Sequence, residues 1–536
     1  MIKKRKYLLG RILKKRPDVW FFYGFLITFT LTIRKIIYFY PIKGEFNEFT
    51  GIYIYLSDLF LIVTIIIWIF TILCNNSSYL STNKLFFLKK STFWLKWFNP
   101  INNPLVILPL LLVIWSFLSI IWSNNAEIAI FRSIKLLEFY LLYLYIKFNF
   151  NVPRGTIPNT TETENCSTPV KMFHVEQSTR HAWNNDGKLK NILKIIIFIG
   201  LFNSILAIIQ FFNKGSLELQ FLKESIFNPD MTGVAKITLG SNLFVRPYGL
   251  FPHPNILGVF LLVTITAIIL YFNIFRIKKN VPRGTIDKKD SNQEINRNLE
   301  YCSTWNIFKK INISTLNVVL FSLILSIPLF ALFLTFSKNA IIGLVAVILF
   351  ISYSSFLIKN NQTKLRLNSI KLFLKEKLAN KKNLLLIAIF IMLLFNLKPT
   401  AESFFSTSFN DRIIFQDVSR GTISENLITG VGMGQFVPSM DQYSAMPLLR
   451  WQFQPVHNVF SLIWSELGLI GLIIFVSFIL TILKTFKSIP TKHPLFYIKT
   501  AFRGLLIAFL IMMLFDHYFW DIQQGQALFW MTLALV

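Results

Sequence analysis

Seven side chains in this sequence could together do chemistry on an anion. Arg246, Lys338, Arg412 and Arg450 are cations, and His253, His457 and His517 carry imidazoles that titrate near neutrality. Guanidinium forks match phosphate oxygens two at a time, and a lysine adds a point charge. A histidine with an ordinary pKa near ~6.5 can accept a proton at neutral pH. The pattern fits an anionic, lipid-tethered diphosphate ligand beside a base at His457. A departing diphosphate needs charge stabilisation more than a proton, which arginines supply. The external segments lack the acidic DxD spacing that holds a divalent ion in many glycosyltransferases, so the chemistry is expected to need no metal and no cofactor.

These residues can meet only if the chain brings them to one side of a membrane. Of 536 residues 54% are hydrophobic and 16% aromatic, a composition for lipid and not for a soluble domain. Apolar runs predict twelve spans, near 18–33, 54–74, 104–122, 128–146, 191–212, 249–273, 315–336, 339–358, 383–397, 457–482, 504–520 and 525–536. The basic, apolar start reads as a retained first span. With a cytoplasmic amino terminus, the cytoplasmic segments hold 40 of the 55 Lys and Arg, the positive-inside pattern. The formal net charge of +29 is therefore topology, and no nucleic-acid partner is implied. Cys74, Cys166 and Cys302 fall on the cytoplasmic side, where thiols stay reduced.

Two cytoplasmic segments, 147–190 and 274–312, look foreign. Both carry NVPRGT, at Asn151–Thr156 and Asn280–Thr285. Together with MFHVEQ (172–177) and CSTWN (302–306), this is what the three reading frames of one palindrome, TGTTCCACGTGGAACA, would encode. The string resembles the site bound by bacterial chromosome-partition proteins, and the two segments read as in-frame insertions, disordered as protein. Their histidines, His174 and His181, then carry no functional weight.

Within the spans, Asp58 reads as a cap exposed to head groups. Arg132, Lys135 and Glu138 share a stripe, with a Lys135–Glu138 pair and Arg132 snorkelling outward as the plain reading, and a cationic wall facing phosphates as the functional one. Gly430, Gly432 and Gly434 read as a flexible turn.

The strings VRPYGLFPHPNILGVF, LTFSKNAIIGL, DRIIFQDVSRGTISENLITGVGMGQF and VHNVFSLIWSELGLIGL resemble, in order and spacing, the bacterial O-antigen ligase and O-antigen polymerase superfamily, with its protein O-oligosaccharyltransferases. The resemblance covers Val245 to the end. It implies an all-α, GT-C-like membrane glycosyltransferase that is metal-independent and works on undecaprenyl-diphosphate glycans at the outer face of the cytoplasmic membrane. Carried over by position, it assigns catalytic roles to Arg246, Arg412 and His457. Substrate contacts are expected from Lys338, Arg450, His253, Asn255 and Asn458. Lys338 stands where many members have arginine, and the proline usual before the glycine turn is missing from Asn426–Thr429.

The expected organisation is helices 1–4 in 1–146, the first insertion at 147–190, helices 5–6 in 191–273, the second insertion at 274–312, helices 7–9 in 313–398, an external catalytic loop at 399–456 and helices 10–12 in 457–536. The expected partners are a polyprenyl-diphosphate-linked glycan, a glycan or lipid-anchored sugar acceptor, and membrane lipid. A lipid-linked sugar flippase or secondary transporter is the rival reading. Transporters are built from internal repeats, and the two halves share nothing beyond the inserted peptides.

Overall fold

A computed structural model describes residues 16–77, 103–150, 169–272 (without 232 and 240), 315–359, 402–487 and 495–536. The expected ninth span, both NVPRGT copies, Cys166, Cys302 and His493 lie outside them.

Pro17 opens α1 (Pro17–Thr28) at the position where its missing N–H costs nothing. The helix is shorter than the expected span, because the chain turns into a hairpin of β1 (Arg34–Phe39) and β2 (Gly51–Tyr55), antiparallel with Arg34 opposite Tyr55. Alternating β-branched and aromatic residues favour this pleated form. There follow α2 (Leu56–Ser77), α3 (Pro104–Leu118) and α4 (Ala126–Asn149). Next comes α5, Pro169–Asn213, so residues 169–190 of the first foreign segment are helical where disorder was expected. A second hairpin, β3 (Lys236–Leu239) with β4 (Asn242–Val245), leads into α6 (Pro254–Tyr271). Then come α7 (Thr315–Leu334) and α8 (Lys338–Lys359). The expected external loop is in large part a 24-residue helix, α9 (Glu402–Glu425). The chain ends with α10 (Val459–Lys484), α11 (Leu495–Met512) and α12 (Gln523–Leu535).

Among the described residues five segments are long and apolar enough to cross a bilayer: Leu56–Leu73, Pro104–Trp122, Lys188–Asn213, Pro254–Tyr271 and Val459–Lys484. The fold is thus that of a mostly helical, multi-pass membrane protein, since helices satisfy their own backbone in lipid. Pro254–Tyr271 is the innermost of the five, with 83% of its residues buried, and it packs against α5, α7, α8, α11 and α12.

Two polar features inside the bundle differ from expectation. Asp58 is buried, not exposed to head groups, and its carboxylate takes Lys135 Nζ at 2.7 Å and Gln523 Nε2 at 2.5 Å. The expected Lys135–Glu138 pair forms at 2.7 Å, so one ammonium serves two carboxylates. Arg132 does not snorkel outward. It donates to the carbonyls of Asp521 at 2.7 Å and Phe49 at 2.9 Å.

The glycine turn is docked and not free. Helix α10 is broken at Gly468 (φ 67°, ψ −172°), a conformation that suits a residue without Cβ. Into the break fit the backbones of the preceding segment. Val431 and Gly432 donate to the carbonyls of Ser465 and Glu466 at 2.9 and 2.8 Å, and Leu469 donates to Leu427 at 2.9 Å. A Cβ on Gly430 would lie 2.5 Å from the Glu466 carbonyl oxygen. The turn therefore fixes the connection between α9 and α10 instead of loosening it.

Candidate active site

Five helix ends carry the chemistry to one place. Pro254 at the first position of α6, with His253 Nδ1 accepting the Asn255 N–H at 3.1 Å, closes the start of that helix. Asn458 caps α10 by accepting from Phe460 and Ser461 at 2.9 and 3.1 Å. His457 is thereby set at the mouth of α10, Lys338 at the mouth of α8, and Asp516 and His517 just beyond the end of α11.

Arg246 is braced within the protein. Its Nε donates to the Thr335 carbonyl at 2.7 Å, at the end of α7 where a cation suits the helix dipole. Its Nη2 donates to Asn255 Oδ1 at 2.7 Å, and Asn255 Nδ2 passes the polarity on to Asp516 Oδ2 at 2.9 Å. Burial lowers its pKa to about 10, against the pull of Tyr248 and Asp516, and it stays charged at neutral pH. Arg412, by contrast, has a single hydrogen bond among the described residues, from Nη1 to the Phe515 carbonyl at 3.2 Å.

A hollow of about 270 Å³ opens beside Arg412. It is lined by Ile413, Gln416, Asp417 and Arg420 of α9, by Val456, His457 and Asn458, and by Leu514 and Phe515. The His457 ring is stacked on Phe415 (centroids 5.7 Å, 8°) and meets His517 edge-on (5.0 Å, 87°). Its Nδ1 is buried with no hydrogen-bond partner. Burial, then the charges of His517 and Arg412, hold the imidazole pKa well below its ordinary value, so it is neutral. Burial and the nearby Arg246 lower His253 in the same way, to about 3.

His517 goes the other way. Burial disfavours its charge, yet the carboxylate of Asp521, with both oxygens on Nδ1 at 2.8 and 2.9 Å, and that of Asp516 raise its pKa above the ordinary value. Asp516 is itself raised by burial, although His517, Arg412 and Asn255 favour its ionised form.

The structure thus gathers Arg246, His253, Asn255, Arg412, His457 and Asn458, and the charges of Arg246 and Arg412 both act on Lys338. Asn255 and Asn458 spend their carboxamides on bracing and capping. Arg450 is not brought in. It pairs with Glu45 of the first hairpin connection and does not line the hollow. Asp516 and Asp521 were not singled out from the sequence as site residues, and His517 was noted without a role. The His517–Asp521 spacing of one helical turn was the available signal.

By donor type, His457, Asp516 and His517 could hold a divalent cation, since their ligand atoms lie within 4.8 Å of one another. Both Asp516 oxygens already receive N–H donors, and Arg412 acts on all three side chains. That surrounding suits an anion better than a second positive ion.

A search of curated proteins finds no match to the chain. The family model described as O-antigen ligase matches residues 321–476, an interval that contains Lys338, Arg412, the glycine turn and His457, and it supports membership of the chain in the O-antigen ligase superfamily.

Proposed function

We propose that the protein is a glycosyltransferase of cell-surface polysaccharide synthesis. It moves a glycan from a polyprenyl diphosphate carrier, undecaprenyl in the family it resembles, to a hydroxyl acceptor, a growing glycan or a lipid-anchored sugar, at the external face of the cytoplasmic membrane. The acceptor oxygen attacks the anomeric carbon from the face opposite the carrier. The bond from that carbon to the diphosphate oxygen breaks, and its electron pair leaves with the diphosphate, so the anomeric centre inverts. His457, neutral and facing the hollow, orients the acceptor and takes its proton. Arg412, with Arg246 and Lys338 behind it, balances the charge that develops on the leaving diphosphate. No step calls for a metal.

The observation that carries this reading is the open guanidinium of Arg412 and the neutral imidazole of His457 on the wall of one hollow. The test is reconstitution in proteoliposomes with a defined polyprenyl-diphosphate glycan and a panel of hydroxyl acceptors. Covalent transfer is expected, abolished by His457→Ala while the variant remains in the membrane. Movement of labelled carrier across the bilayer with no covalent product would overturn the proposal in favour of a flippase.

A further inference from the structure

Beyond Arg412, one stripe of α9 has no task in the transfer step. The other side of the helix is docked: Phe415, Val418 and Thr422 are buried, the Phe415 ring is stacked on His457, and the Ser419 hydroxyl meets that of Ser465 at 2.9 Å. With that side held, Gln416, Asp417 and Arg420 line the hollow together with Arg412. Gln416 stands roughly 6 Å and Arg420 roughly 12 Å along the helix from Arg412, at a rise of about 1.5 Å per residue. The Gln416 carboxamide makes no hydrogen bond among the described residues. Arg420 Nη1 donates to Asp417 Oδ1 at 2.8 Å, and that exposed pair leaves its other donors and acceptors unspent. Leu514 and Phe515 add exposed apolar surface to the same hollow.

We propose that Gln416, Asp417 and Arg420 form a subsite for a neutral sugar ring, beginning one helical turn from the diphosphate at Arg412. The subsite rests on the reading of Arg412 as the diphosphate ligand. A sugar ring carries hydroxyls round its edge and C–H bonds on its faces, and it needs a wall that offers both polar and apolar contacts. Its hydroxyls can donate to the free oxygens of Gln416 and Asp417 and accept from the Gln416 amide and the remaining N–H groups of Arg420. The apolar face finds Phe515 and Leu514. The ion pair decides for a neutral ring. Asp417 and Arg420 cancel each other, so the stripe adds no net charge to the hollow, and a uronate would reach Arg420 only beside the like charge of Asp417. Two sugars come to this place during transfer, the ring joined to the donor's diphosphate and the ring of the acceptor. Both offer the same hydroxyl chemistry. An exposed pair three residues apart adds little to helix stability, so these side chains can be changed without unfolding the protein.

The test compares ligands that differ only in the sugar. Binding to the full-length protein in detergent is measured by microscale thermophoresis with farnesyl diphosphate, bare or carrying glucose, N-acetylglucosamine or glucuronic acid, and with maltotetraose, which has no carrier. A neutral sugar on the carrier is expected to tighten binding about ten-fold over the bare diphosphate. Gln416→Ala and Asp417→Asn should each remove a few-fold to about ten-fold of that gain, the worth of one or two hydrogen bonds. Affinity for bare farnesyl diphosphate and thermal unfolding should not move. Arg412→Ala is the contrast and should weaken every diphosphate ligand alike. A loss confined to the carrier-linked sugars assigns the subsite to the donor, and a loss confined to maltotetraose assigns it to the acceptor. Unchanged affinities for all probes in both variants, or an equal loss for bare and sugar-bearing diphosphate, would overturn the subsite. Tighter binding of the glucuronic acid ligand than of the glucose one would overturn its neutral character. Sugar-dependent binding that the variants abolish, in a protein that forms no covalent product, would leave the subsite standing and overturn the transferase reading instead.

Discussion

Replacing Arg412 with alanine separates ligand binding from structure in a way that replacing Arg246 does not. The guanidinium contributes one hydrogen bond to the described fold, a long 3.2 Å contact to the Phe515 carbonyl at the surface, worth about 1 kcal/mol in that exposed setting. Thermal unfolding of Arg412→Ala in detergent should therefore stay close to that of the parent. Its remaining donors are open to the hollow. A fork on two phosphate oxygens makes two charge-assisted hydrogen bonds of about 1.5–3 kcal/mol each. Their loss should lower kcat/KM for transfer from a polyprenyl-diphosphate glycan by roughly a hundred-fold to ten-thousand-fold, at ~1.4 kcal/mol per factor of ten. Arg412→Lys, which keeps the charge and loses the fork, should fall between. Arg246→Ala is the contrast. It strands the Thr335 carbonyl and Asn255 Oδ1, so a cost of roughly 2–4 kcal/mol in stability should accompany its loss of transfer. The reasoning fails if Arg412→Ala transfers within a few-fold of the parent rate, or if its loss of activity matches a comparable fall in thermal stability.

Two further outcomes follow from the scaffold and the buried imidazoles. Gly468→Ala places a side chain at φ 67° against the Ile428 carbonyl; a cost above about 2 kcal/mol is expected, read as earlier thermal unfolding, and an unchanged transition would show that the break in α10 can close or shift. His253, lowered to about 3 in the folded protein, stays unprotonated while the unfolded chain takes up its proton below ~6.5. Stability should fall with acidification over that window, by about 1.4 kcal/mol per pH unit at most, and His253→Gln should flatten the fall; an equal pH dependence in the variant would refute it.

Much of the helical scaffold was legible because lipid leaves the chain few choices: apolar runs at 54–74, 104–122, 249–273 and 457–482 reappear as α2, α3, α6 and α10 within a few residues. The hairpin at 34–55 was not legible. Its aromatic and β-branched residues suit an interfacial belt as well as a strand, and only the pairing across the turn decides. Helix α9 escaped notice because Asn410, Asp411, Asp417, Arg420 and Glu425 dilute any apolar period. The glycine cluster was visible as a turn, but its partner is the broken backbone at Gly468, dozens of residues later, which no local pattern announces. Arg246, Arg412 and His457 were found as chemical types, with the superfamily resemblance assigning them roles, whereas the two aspartates that steady their neighbours needed the fold.

Those aspartates explain how several cations can be packed at one spot without driving the site apart. Asp516 reaches Arg246 through Asn255, and Asp521 holds His517. Arg246 and His517 thus carry their own counter-charges. On the wall of the hollow, the guanidinium of Arg412 has no acidic hydrogen-bonding partner among the described residues. An anionic head group entering there would supply the missing counter-charge, and it would do so beside an imidazole kept neutral by burial first and by the charges of His517 and Arg412 second. Binding of the donor and the protonation of the base are then coupled through the charge of Arg412. Removing positive charge to loosen the product should therefore also make the base easier to protonate.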